Sequence, residues 1–122
     1  MRCTCSMLFV EDSYLLAQSA VQALGDAGLN VQPVADAHAA LELFARQQFD
    51  CAVIDVELPG GMDGVELARR ILALRPDFPI ALATGYDASA CGAPADVRVF
   101  QKPYRFDDLR AYVCPRVLAR AS

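Results

Sequence analysis

An alternation constrains this chain more than any other feature: short apolar runs of strand length are separated by longer stretches with helical periodicity. The runs are residues 6–10 (SMLFV), 30–34 (NVQPV), 51–55 (CAVID), 79–84 (PIALAT) and 97–101 (VRVFQ). Between them, residues 14–27 place Leu16, Ala20, Ala23, Leu24 and Ala27 at helical spacing, and Gly28 stops the pattern. Asp36 is a candidate N-cap for a helix that turns Ala37, Leu41, Phe44 and Ala45 inward. Asp63 is a candidate cap for one that turns Leu67, Ala68, Ile71 and Leu72 inward and stops at Pro76. Asp107 opens a last helix carrying Leu109, Tyr112 and Val113.

Strands that alternate with helices pair in parallel, because each crossover helix lies on a face of the sheet. Central runs that are apolar throughout fit a sheet covered on both sides. Right-handed crossovers then leave a doubly wound, three-layer α/β fold as the favoured arrangement. Two places fit less regularly. Residues 85–96 (GYDASACGAPAD) have room for at most about two turns of helix. Pro115 falls inside the last helical pattern, where it removes a backbone donor and crowds the preceding turn. A kink or an end near Cys114 is therefore expected.

Composition excludes several function classes. The chain has 122 residues, 55% of them apolar, which suits one domain with a core rather than a disordered segment. The expectation is one domain over 1–122 with no output domain attached. The net charge is −4 and there is no basic run, so nucleic acid is not an expected partner of this domain. No stretch approaches the length of a membrane span, and the N-terminus lacks the layout of a secretory signal. The five cysteines are an odd number, and several lie in apolar runs, so reduced thiols in a cytoplasmic protein are expected. Cys3 and Cys5 have half the spacing of a metal site, but no second Cys/His pair completes it. His38, the only histidine, lies in an alanine-rich helix and reads as structural, and Phe44 and Met62 read as packing.

In an open parallel sheet, ligands bind beyond the carboxyl ends of the strands. Here that edge receives Glu11 and Asp12 from the first run, Asp55 from the third, Thr84 from the fourth and Lys102 after the fifth. If the first and third strands are neighbours, three carboxylates share one crevice, and unaided they repel. A divalent cation relieves that repulsion, and an oxygen-only donor set indicates a hard ion such as Mg²⁺. Lys102 is the single lysine among eleven basic residues. Its flexible ammonium and the Thr84 hydroxyl suit a phosphoryl group, and an aspartate can be the nucleophile that accepts one. Singly, each of these residues has an ordinary reading as a turn acid, a strand-end hydroxyl or a surface charge. Together they form a site.

At these positions the chain resembles the receiver domain of bacterial two-component response regulators. The matching pieces are FVEDS (9–13), VIDVELPGGMDGVELA (53–68), ALATGY (81–86) and QKPY (101–104). The resemblance covers essentially the whole chain. It implies a flavodoxin-like, chemotaxis-regulator-like sheet of order 2-1-3-4-5. It implies that Asp55 is the phosphoacceptor, and that Glu11, Asp12, Asp55 and the backbone carbonyl of Glu57 hold Mg²⁺. It implies that Thr84 follows the phosphoryl group, that Lys102 pairs with a phosphoryl oxygen, and that the Lys102–Pro103 bond is cis. The implied donor is a histidine kinase or a histidine phosphotransfer protein, and the domain would catalyse only its own phosphorylation and dephosphorylation.

The chain also departs from the family. The loop after Asp55 has one glycine more than the commonest form, so a local bulge is expected. Val99 stands three residues before Lys102, where many receivers have Tyr or Phe, and valine cannot act as that inward-swinging ring. With residues 85–96 abbreviated and Pro115 in the last helix, the dimer that many receivers form across the helices flanking the fifth strand is not expected. Glu57 sets a carboxylate beside Asp55 and is expected to alter the lifetime of an acyl phosphate. Two other readings use the same residues. A haloacid-dehalogenase-like aspartyl-phosphate hydrolase would use Asp55 with Glu57 as its second acid. A receiver-like binding module would not be phosphorylated at all.

Overall fold

In the computed structural model, residues 5–121 are described; Cys3, and with it the Cys3/Cys5 spacing, lies outside them. The strands are β1 (Ser6–Val10), β2 (Asn30–Val34), β3 (Cys51–Asp55), β4 (Ile80–Thr84) and β5 (Arg98–Gln101). The helices are α1 (Tyr14–Asp26), α2 (Ala37–Arg46), α3 (Gly64–Leu74) and α4 (Phe106–Ala121). All strand pairs are parallel and the sheet order is β2-β1-β3-β4-β5. This is the doubly wound arrangement expected from the alternation, in the flavodoxin-like order that the resemblance implies. Pro33 sits in β2, an edge strand, where a missing backbone donor is tolerated.

The period of two along each strand divides the core in two. Leu8 and Val10 of β1, Ala52 and Ile54 of β3, and Ile80 and Leu82 of β4 pack with Phe44 of α2 and with Leu67 and Ile71 of α3. Met7 and Phe9, Cys51 and Val53, and Ala81 face the other way, onto Leu24 of α1 and Leu109, Tyr112 and Val113 of α4. Burying a large apolar side chain of this kind contributes about 1.5–3 kcal/mol. β3 and β4, buried along their whole length, are thereby locked in register.

Local chemistry sets the helix ends. Ser13, Asp36 and Asp63 are N-caps whose side chains accept from Leu16, Ala39 and Glu66 N–H, interactions worth about 1 kcal/mol each. After α1, Gly28 adopts φ 101°, so the Leu29 N–H can reach Leu24 O and the Gly28 N–H can reach Gly25 O.

Three sequence expectations need correction. In α1 and α2 the buried alanines are Ala17, Ala20, Ala37 and Ala40, whereas Ala23 and Ala45 are exposed. A methyl group marks neither side of a helix strongly, so alanine periodicity leaves the facing stripe ambiguous by one position. The last helix begins at Phe106, ahead of Asp107. It also does not end near Cys114 but runs through Pro115 to Ala121. Packing on both sides of the proline outweighs its cost: Tyr112, Val113 and Cys114 are buried before it and Val117 packs on the same core after it. Arg116 Nη1 donates to Tyr112 O at 2.8 Å, and the Arg120 guanidinium lies over Phe78 and 3.5 Å from Asp77. Between β4 and β5, a single 3₁₀ turn (Ala88–Ala90) takes the place of a crossover helix, within the space expected for it.

Candidate functional site

The topology that neighbours β1 with β3 and β3 with β4 delivers the site residues to one edge of the sheet. Glu11 and Asp12 follow β1, Asp55 ends β3, Thr84 ends β4, and Lys102 follows β5. Carboxylate oxygens of Glu11, Asp12 and Asp55 all lie within 4.8 Å of one another. Glu11 and Asp55 are buried and Asp12 is exposed. An all-carboxylate set of this size, open to solvent on one side, fits a hard divalent cation that keeps several waters.

Lys102 crosses to this cluster from the far side of β4. Its Nζ lies 2.9 Å from Asp55 Oδ2 and 3.0 Å from Glu11 Oε1. Its own backbone N–H donates to Thr84 O at 2.7 Å, which anchors the lysine to the end of β4. The Lys102–Pro103 bond is cis. The remaining oxygens are also held: Glu11 Oε2 accepts from Ser13 N–H at 3.1 Å, and Asp55 Oδ1 accepts from Glu57 N–H at 3.1 Å.

These contacts set the titration. Burial raises the Asp55 carboxyl to about 6; the Lys102 hydrogen bond opposes this, and repulsion from Glu11 adds to it. Burial disfavours the charge on Glu11 as well, but Lys102 and the Ser13 amide outweigh it and hold Glu11 below the ordinary carboxylate range. Burial would lower Lys102, yet the two carboxylates raise it above its ordinary value, so it is fully charged at neutral pH. Tyr104 is raised by burial and by the nearby Glu11 charge, so it remains a neutral phenol.

Glu57 behaves differently from its three acidic neighbours. Its carboxylate turns to β4, where Oε2 accepts from the Thr84 hydroxyl at 2.6 Å and Oε1 accepts from Gly85 N–H at 3.0 Å. It does not join the carboxylate cluster, so the second acid of a dehalogenase-type site is not assembled.

The extra glycine in the loop is absorbed locally. Gly60 and Gly61 take φ 90° and 91°, a conformation that favours glycine, and the acids still converge. His38 Nε2 donates to Gly60 O at 3.2 Å, tying α2 to this loop. Met62 and Phe44 are buried as packing residues. Val99 packs into the core rather than at the site, and Tyr86 points outward with 73% exposure.

Sequence reasoning missed Gly64 as a site residue. A Cβ there would lie 2.0 Å from Asp55 O, so the start of α3 can close against β3 only if position 64 is glycine. Its place directly after the capping Asp63 was the available signal. One surface hollow, lined by Leu72, Pro79, Pro94, Tyr112 and Arg116, lies at the opposite ends of β4 and β5, away from the acidic cluster.

Comparison with known proteins agrees with this geometry. The family model for the response regulator receiver domain matches residues 7–113. The response regulator receiver protein CpdR of Brucella abortus is 35% identical over 107 residues, which cover 84% of this chain and 88% of CpdR. A response regulator receiver protein from Sinorhizobium medicae superposes with a TM-score of 0.86 at 26% identity, covering 96% of this chain and 97% of the other. The response regulator TrrA of Thermotoga maritima, solved in complex with Mg²⁺–BeF, superposes with a TM-score of 0.77 at 27% identity over 91% of this chain and 97% of TrrA. With the sheet order, the acidic crevice and these relatives in agreement, the chain belongs to the receiver domains of response regulators.

Proposed function

We propose that this receiver accepts a phosphoryl group on Asp55 from a phosphohistidine of a histidine kinase or histidine phosphotransfer protein, and that the acyl phosphate switches its signalling state in the cytoplasm. One observation carries the reading: a lysine bridges two buried carboxylates, one of them at the end of the central strand, inside a three-carboxylate cluster.

Asp55 Oδ is the nucleophile. As the new P–O bond forms, the P–N bond to the donor imidazole breaks, and the imidazole nitrogen leaves with the bonding electron pair. Lys102 holds one Asp55 oxygen and supplies fixed positive charge beside the incoming phosphoryl oxygens. Glu11, Asp12, Asp55 and the Glu57 carbonyl are the proposed holders of Mg²⁺. When bound, that ion neutralises phosphoryl charge and relieves the repulsion among the acids. Hydrolysis of the acyl phosphate restores the carboxylate, so the domain acts only on its own modification. The Mg²⁺–BeF complex of TrrA supports the same chemistry in a related fold.

The test is incubation with Mg²⁺ and a small phosphoryl donor such as phosphoramidate, followed by intact-mass measurement. One added phosphoryl group, abolished by Asp55→Asn and by chelation, is the expected result. Label retained in Asp55→Asn would refute the assignment.

A further inference from the structure

The Thr84 hydroxyl has one proton, and that proton is already committed. Thr84 is 1% exposed, and its hydroxyl donates to Glu57 Oε2 at 2.6 Å while its oxygen accepts from Tyr86 N–H at 3.1 Å. The neighbouring Gly85 N–H also has one proton, and Glu57 Oε1 takes it at 3.0 Å. A single carboxylate therefore caps both of these donors at the end of β4. Through its own backbone N–H, the same residue holds Asp55 Oδ1 at 3.1 Å. Residue 57 thus spans from the acid at the end of β3 to the hydroxyl at the end of β4.

The Glu57 carboxylate holds both donors, and in the proposed phosphorylated state the new anion on Asp55 would turn to the same Thr84 hydroxyl and Gly85 N–H at the adjoining strand end. The two anions cannot share them, because neither donor has a second proton to give. We propose that Glu57 is a latch, a positioning residue that holds the end of β4 in the resting arrangement and must be displaced toward solvent before Thr84 and Gly85 can engage a phosphoryl group. This inference rests on the phosphoacceptor reading of Asp55 and deepens it by naming what phosphorylation releases. It differs from a simple effect of charge on acyl-phosphate lifetime, because the latch depends on reach as well as on charge.

Aspartate at position 57 separates the two. It keeps the negative charge but is one methylene short of both donors. The experiment measures Mg²⁺-dependent binding of fluoroberyllate to the wild type, Glu57→Asp, Glu57→Gln, Glu57→Ala and Asp55→Asn, together with Gly85 amide exchange by NMR in the free proteins. The expected result is that Glu57→Asp and Glu57→Ala each bind about tenfold more tightly than the wild type, the scale of hydrogen bonds to a charged acceptor. Gly85 amide protection is expected in the free wild type and lost in both. Glu57→Gln, which can accept only one of the two donors well, falls between. Thermal melts confirm that each variant is folded. Tightening in Glu57→Gln and Glu57→Ala but not in Glu57→Asp would mean charge repulsion alone and overturns the latch. Equal binding by the wild type and Glu57→Asp overturns the latch alone. Absence of Asp55-dependent binding in every variant overturns the phosphoacceptor reading and the latch with it.

Discussion

Lys102 Nζ lies 2.9 Å from Asp55 Oδ2, a contact made across 47 residues of sequence. The side-chain exposures are 25% for the lysine and 4% for the aspartate, so the pair is shielded on one partner and reachable from solvent on the other. That asymmetry suits the proposed role of Asp55, a nucleophile held still and yet open to a phosphoryl donor.

Lys102→Arg keeps the positive charge but replaces a compact ammonium with a broad planar fork. The two acceptors it serves, Asp55 Oδ2 and Glu11 Oε1, belong to different strands' ends and converge on one nitrogen. Folding stability should stay within about 1 kcal/mol of wild type, whereas phosphorylation by phosphoramidate should slow about tenfold or more. Urea denaturation and intact-mass time courses measure the two effects. Wild-type phosphorylation kinetics in this variant would contradict the role given to the ammonium.

Stability should depend on pH through Asp55. Its carboxyl titrates near 6 in the folded protein, against an ordinary value of 3.8. The folded state therefore binds the proton more tightly than the unfolded state does. Below pH ~4 both states are protonated, and the group has no effect on the folding equilibrium; as pH rises through 4 to 6, ionisation costs stability, and the full cost is present above 6. In chelator, Asp55→Asn should therefore be more stable than wild type at pH 7, by on the order of 3 kcal/mol, with the difference vanishing near pH 4. Denaturation midpoints across that range provide the check, and a difference that grows toward acid pH would reverse the sign.

Added Mg²⁺ should stabilise the wild type at neutral pH by relieving repulsion among Glu11, Asp12 and Asp55. Asp12→Asn removes the exposed member of the cluster without disturbing the Lys102 contacts. It should weaken Mg²⁺ binding about tenfold or more, since even losing a partner that only orients a metal's ligands costs about that much. Calorimetric titration decides the point, and unchanged affinity would exclude Asp12 as a ligand.

Gly64→Ala should destabilise the fold by about 3 kcal/mol, near the upper end for overpacking, because the contact is with backbone that cannot swing aside. The added methyl would sit 2.0 Å from Asp55 O and 2.9 Å from Ile54 Cγ2. Gly61→Ala, with nothing within 4 Å of the added methyl but a φ of 91°, should cost about 1 kcal/mol from backbone strain alone. Urea midpoints for the two variants separate close approach from left-handed conformation.

Period and run length along the chain suffice for the alternation of strands and helices, and therefore for the layers of the fold. They also determine which chemical groups end the strands, because Glu11, Asp12, Asp55, Thr84 and Lys102 occupy positions set by period and length alone. Those signals are local, and a local pattern reads directly along a chain. Tertiary structure decided what no local pattern encodes. It chose which alanines face the core, since a methyl group has little preference, and it carried α4 through Pro115, since packing by Tyr112, Val113 and Val117 outweighs one lost backbone bond. It turned the Glu57 carboxylate away from Asp55 and onto Thr84 and Gly85. The physical reason is that β3 and β4 end side by side. Two donors at the end of one strand then lie within reach of a side chain two residues beyond the other, and that pairing exists only once the sheet has formed.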